Sequence, residues 1–162
     1  MLTSLSTVSK KVVLLSTKKI DTLRSGREIK HIVVALDVSD KSNKILDKAI
    51  SLAKSFDAKI TGIYVMPIQP PLTSGYIDDS AAKKAQKLLH PLKKHCEKKG
   101  IQFAFKIFYG KPASEIAKFA EKGKVDLVVI GTKGLGGFKG KVLGSVANSI
   151  LLESKVSVFL VK

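Results

Sequence analysis

Between residues 131 and 145 the chain reads Gly-Thr-Lys-Gly-Leu-Gly-Gly-Phe-Lys-Gly-Lys-Val-Leu-Gly-Ser, with six glycines and three lysines. Glycine lets backbone N–H groups approach an anion with no Cβ in the way, and it permits the positive φ angles of an anion-binding nest. Gly144 and Ser145 stand just before an apolar helical period that starts at Val146. There the free N–H donors of a helix N-terminus, its positive dipole and the Ser145 hydroxyl meet. Lys133, Lys139 and Lys141 add mobile positive charge. The chemistry this combination serves is the binding of a di- or triphosphate.

Two familiar phosphate loops are excluded by position. For the Gly140-Lys141 pair, a Walker loop needs glycine where Leu135 stands and Ser or Thr where Val142 stands. A dinucleotide fingerprint from Gly134 needs glycine at position 139, which is Lys139, and it belongs after the first strand of a domain. The glycine segment follows a late strand.

The elements that must carry this segment are legible from hydrophobic period. His31–Leu36, 58–66, 101–108, 125–130 and 156–161 are short apolar runs of strand length. Between them, apolar residues recur at helical spacing: Ile45, Leu46, Ala49, Ile50, Ala53 and Phe56, then Ala81, Ala85, Leu88, Leu89, Leu92 and Cys96. Ile116, Phe119 and Ala120 mark a third helix, and Val146, Ala147, Ile150 and Leu151 a fourth. Ser39 or Asp40 is available to cap the first helix. Pro91 is expected to kink or split the second. Pro67, Pro70, Pro71 and Gly75 break the chain into a long loop. Strict alternation of apolar strands and helices predicts an α/β fold, a doubly wound parallel sheet with helices on both faces. Ligands of such sheets bind beyond the carboxyl ends of the strands where strand order reverses, after Leu36, Met66 and Ile130 here.

The 162 residues suit one domain, and 44% hydrophobic residues supply one core. Residues 1–28, rich in Ser, Thr and Lys, read as a basic N-terminal extension with a short strand at 11–15; residues 29–162 form the domain. A single cysteine, Cys96, rules out an internal disulfide and a Cys-rich zinc site, and suits a cytoplasmic setting. No run is long enough to span a membrane. Net charge is +16, of which residues 1–30 carry +5, so the excess is spread along the chain. Such charge admits nucleic acid as a partner. With only ten aromatic residues and no stacking cluster, however, a basic solubilising surface is the favoured reading. His31 reads as structural, and His90 and His95 have no metal-ligand spacing around them.

Gly131-x2-Gly134-x9-Gly144-Ser145 resembles, at every defined position, the nucleotide-binding motif of ATP-binding universal stress proteins. Val34-Ala35-Leu36-Asp37-Val38-Ser39 is similar to that family's Val-Ala-x-Asp-Gly-Ser segment, and Gly110-Lys-Pro112 to its Gly-x-Pro segment. Val156–Lys162 resembles its closing strand, so the resemblance covers residues 31–162. It implies an adenine nucleotide alpha-hydrolase-like fold with five parallel strands in the order 3-2-1-4-5. It also implies ATP as ligand, accompanied by Mg2+ or Mn2+, and a homodimer joined through the last strand. By the same resemblance, Asp37 faces the ribose and the metal-phosphate region, and Ala35 and Val65 border the adenine. Ile130, Gly131, Gly134, Gly144, Ser145 and Val146 contact ribose and phosphates. Val38 and Ser157 depart from the family's Gly and Pro. The implied role is stress tolerance or signalling with slow or absent hydrolysis, since no general base stands in the ligand-facing segments. Two rival classes remain at this level: an ATP-dependent hydrolase or transferase using Asp37 and a metal, and a nucleic-acid-binding accessory protein.

Overall fold

Among the described residues five strands alternate with four helices: β1 (His31–Leu36), α1 (Lys41–Phe56), β2 (Lys59–Met66), α2 (Asp79–Lys98), β3 (Phe103–Tyr109), α3 (Pro112–Lys122), β4 (Leu127–Gly131), α4 (Ser145–Glu153) and β5 (Ser157–Val161). The computed structural model describes residues 28–37, 41–66, 79–132 and 143–162. All pairings are parallel, in the order β3-β2-β1-β4-β5. The expected doubly wound sheet and its strand order are therefore present. The expected short strand at 11–15, the Pro67–Gly75 loop and the Ser39 or Asp40 cap lie outside the described residues.

Side chains of a strand point alternately to its two faces, and the core divides accordingly. Ile32, Val34 and Leu36 of β1 pack with Leu46, Ala49 and Ala53 of α1 and Leu89, Leu92 and Cys96 of α2. Val33 and Ala35 face the other way, toward Ile116 and Ala120 of α3 and Ala147 and Ile150 of α4. β1 is thus buried on both sides, which is why its sequence shows no polar alternation. Each fully buried Val, Leu or Ile stabilises the fold by about 1.5–3 kcal/mol. At Gly62 of β2 the packing tolerates no side chain: a Cβ would lie 2.7 Å from Leu36 Cδ1 and 2.8 Å from Phe103 Cζ.

Two sequence expectations are sharpened in α2. Pro91 does not split the helix, which continues through it. Pro91 lies on the exposed side, so the helix bond it forfeits belongs to the solvent-facing Lys87 carbonyl. Ala85, Leu89, Leu92 and Cys96 are buried as expected, but Leu88 is 54% exposed. Position 88 is one step around the helix from the buried stripe, and none of the described elements covers it. Phe56, at the end of α1, is likewise 40% exposed.

The amino end of the sheet is fastened by Asp126, whose Oδ2 accepts the backbone N–H of Lys30 and of His31, each at 3.0 Å. His31 itself is buried, with Nε2 2.8 Å from Thr61 Oγ1 and its ring edge-on to Phe119. It lies at the far end of the sheet from the carboxyl-end crevice.

Candidate functional site

β1 and β4 are neighbours at the centre of the sheet, paired from Ile32↔Leu127 to Val34↔Val129. The chain leaves β1 into α1 on one face and leaves β4 into α4 on the other, because the two helices belong to opposite core clusters. This divergence opens a crevice between the carboxyl ends of β1 and β4, where open α/β sheets take their ligands.

Asp37, the residue after β1, stands at one wall. Its Oδ1 accepts a 2.9 Å hydrogen bond from Ser42 Oγ, and Ser42 is 2% exposed in the first turn of α1. The carboxylate is thereby aimed by the helix that follows it. Ser42 was not among the residues the sequence singled out. Its one signal there is a small hydroxyl five positions after an aspartate, at the start of an apolar period.

The other wall is built by β4 and α4. Gly131 ends β4 opposite Val161 of β5. Thr132 then donates its N–H to the Val161 carbonyl and accepts the Gly144 N–H on its own carbonyl, both at 2.8 Å. The two ends of the glycine segment are thus clasped together beside the sheet. Gly144 is the N-cap of α4 with φ −61° and ψ 149°, an extended conformation open to any residue, and no side chain caps the helix. What glycine supplies here is the missing side chain rather than an unusual backbone. The first bond of α4 runs from the Asn148 N–H to the Gly144 carbonyl. The N–H groups of Ser145, Val146 and Ala147 therefore have no acceptor within the helix. They form a donor cluster at the positive end of the dipole.

Ala35, Val65 and Ile130 are buried on the α3/α4 face of three adjacent strands, in one apolar cluster, and the half-buried Val146 packs against it. Ser145 is exposed at the helix start. The structure thus brings Asp37, Gly131, Gly144, Ser145 and Val146 to one end of the sheet, over a floor that includes Ala35, Val65 and Ile130. Gly134, Lys133, Lys139, Lys141 and Val38 lie outside the described residues. Gly110, by contrast, has φ 141°, a conformation that demands glycine, and Pro112 opens α3 at the position that suits it. The Gly110-Lys-Pro112 segment is a turn device between β3 and α3.

A hard cation fits this donor set. Magnesium bound with a nucleotide needs one or two carboxylates besides the phosphates. Asp37 supplies one, and among the described residues no group of three or more His, Cys, Asp or Glu forms a metal cage. Cys96 is remote, and burial, with Asp47 and Glu97 nearby, pushes its thiol up to about 12. It is a core residue without nucleophilic character at neutral pH.

The open parallel sheet of order 3-2-1-4-5, with an uncapped helix N-terminus and an acidic residue at its switch point, has the adenine nucleotide alpha-hydrolase-like fold shared by solved universal stress proteins. The universal stress protein family matches this chain over residues 28–162, and the chain belongs to that family. Universal stress protein MJ0531 of Methanocaldococcus jannaschii is 36% identical over 86% of each chain. Universal stress protein UspA from Lactobacillus plantarum has a TM-score of 0.74 at 20% identity, covering 85% of this chain and all of its own. A universal stress protein solved in complex with cAMP has a TM-score of 0.68 at 24% identity, covering 84% of this chain and 99% of its own. The protein from Archaeoglobus fulgidus in complex with dAMP has a TM-score of 0.67 at 22% identity, with 84% and 100% coverage. Among the described residues no helix is long and apolar enough to cross a membrane.

Proposed function

We propose that the protein binds an adenine nucleotide, ATP with Mg2+ or Mn2+, in the crevice between β1 and β4. The observation that carries this reading is the start of α4. Three backbone N–H groups stand without intrahelical acceptors behind a side-chain-free cap, and the Thr132 clasp holds them beside the sheet end that carries Asp37. A β-phosphate or γ-phosphate is the acceptor that such donors await. Asp37, aimed by Ser42, holds the cation that accompanies the phosphates. Ala35 and Val65 offer an apolar border to the base. The two relatives solved with cAMP and dAMP support an adenine-binding reading.

The role that follows is a nucleotide-responsive one in stress tolerance or signalling, with hydrolysis slow or absent. Among the described residues Asp37 is the acidic side chain at the crevice, and it is engaged by Ser42. A cytoplasmic homodimer joined along β5 completes the reading.

Two measurements test it. Mass spectrometry of the nucleotide released on denaturing the protein purified from cells should find an adenine nucleotide. In calorimetry, Asp37→Asn should weaken ATP binding about tenfold or more in the presence of Mg2+, and far less in EDTA. Equal loss in both conditions would remove the cation from Asp37. Unchanged binding together with a lower Tm would reduce Asp37 to a partner of Ser42.

A further inference from the structure

Part of the net charge of +16 forms an ordered array on the outer face of α2. This helix holds six lysines against two acidic residues. With about 100° per residue, Lys83, Lys87, Lys94 and Lys98 fall within a narrow stripe, opposite the buried Ala85, Leu89, Leu92 and Cys96. At 1.5 Å rise per residue the stripe runs about 22 Å, with gaps of about 6, 10 and 6 Å between successive lysines. Lys83, Gln86, Lys87, His90, Pro91 and Lys94 also line an open concavity of about 590 Å3. Among the described side chains of α2, the sole acidic one is Glu97, and it is paired with Lys93 at 3.7 Å. Among the described residues none of the four stripe lysines forms an ion pair with a carboxylate.

We propose that the outer face of α2 is a docking ridge for the phosphate backbone of double-stranded nucleic acid, separate from the crevice between β1 and β4. The choice of partner follows from side-chain chemistry. Duplex DNA carries one negative charge per about 1.7 Å of axis, dense enough to meet every lysine of a 22 Å row. Lysine binds phosphate as a compact point charge, and a row of lysines without arginine suits loose contact with successive backbone phosphates rather than bidentate recognition of one group. A membrane-surface helix needs an apolar face free to enter the lipid. Here that face is spent on the sheet, and Leu88 stands about 100° around the helix from Lys87. No Phe, Tyr or Trp lies on the helix, so a stacking platform for successive single-stranded bases is not offered. Binding by this ridge reads charge and shape, and carries no sequence preference.

The test uses the full chain and a fluorescent 24-base-pair DNA duplex of arbitrary sequence, followed by anisotropy between 50 and 200 mM salt. The wild type is expected to bind with Kd on the order of 1–100 μM, with affinity falling steeply as salt rises. Replacing Lys83, Lys87 and Lys94 together by Gln should weaken binding more than tenfold at 100 mM salt and flatten the log–log salt slope by about 2–3. The same charge change at Lys118, Lys122 and Lys162, exposed on α3 and after β5, should alter the slope by less than about 1. Lys and Gln have nearly equal helix propensity, so the fold is kept, and ATP affinity of the ridge variant should match the wild type. Equal loss in the two triple variants would replace the ridge by net charge alone and overturn the proposal. So would absence of duplex binding at 100 mM salt, or ridge-dependent binding of phosphatidylserine vesicles or poly-glutamate in place of the duplex.

Discussion

At Gly144 the interests of folding and binding part company. A serine in an N-cap position accepts one of the free N–H groups with its own hydroxyl, and is better than glycine there by a few tenths of a kcal/mol. Gly144→Ser should therefore leave Tm unchanged or slightly raised. It should also weaken ATP binding about tenfold, because the hydroxyl occupies the place of a phosphate oxygen. Gly144→Val should lose both, since a β-branched apolar residue neither caps nor makes room. Calorimetry paired with thermal melts checks this; undiminished ATP affinity in Gly144→Ser would move the phosphates away from α4. Much of this site was legible at the level of residues, because glycine spacing and an aspartate after an apolar run survive in one dimension. Ser42 and Thr132 were not, because each acts through contacts that exist only after the chain has folded. The Thr132 contacts are also made by the backbone, which leaves no mark in residue type.

At the scale of elements, β5 pairs among the described residues with β4 alone. Val158 and Leu160 are buried, while Ser157, Phe159 and Val161 are half-buried, so the strand presents an apolar free edge of the kind that pairs with another strand. Beside it on α4, Leu152 is 78% exposed. In a homodimer through β5 each copy would bury its Leu152, and two-fold symmetry counts the contact twice. Leu152→Glu should then weaken dimerisation about a hundredfold, the loss of about 1.5 kcal/mol per copy, and leave the monomer folded. Sedimentation velocity over a micromolar range reads this, and a monomeric wild type would remove the dimer. Val158 is a poorer test position, since it is fully buried and a change there unsettles the fold itself. The order of elements was read correctly from period and alternation. Strand ends were less legible: β3 starts at Phe103 rather than 101 and β4 at Leu127 rather than 125. An apolar run continues into the turn that delivers it, as Ile101 and Val125 do while buried outside the strands.

For the whole molecule, acid is the informative stress. Burial, then the nearby Lys59 ammonium, holds His31 below its ordinary 6.5, against the weaker opposing pull of Gly123, Asp126 and Lys124. The unfolded chain therefore takes up this proton first, so stability present above pH 6.5 falls as pH drops through that value toward the lower folded one. Thermal melts from pH 7.5 to 5 should show Tm falling with acid, and His31→Gln should flatten the profile; an equal slope in both would assign it to other groups. His31 lies at the opposite end of the sheet from the crevice, so acid loosens the scaffold without touching the ligand contacts directly. The clasp at Thr132 has a different reach. Because the Thr132–Gly144 bond closes the chain over residues 133–143, the start of α4 is fixed by the two ends of that excursion rather than by its length. Loop closure depends only logarithmically on length, and four added residues cost about 0.3 kcal/mol. The segment can therefore gain or lose residues over evolutionary time while the donors of α4 stay where they are.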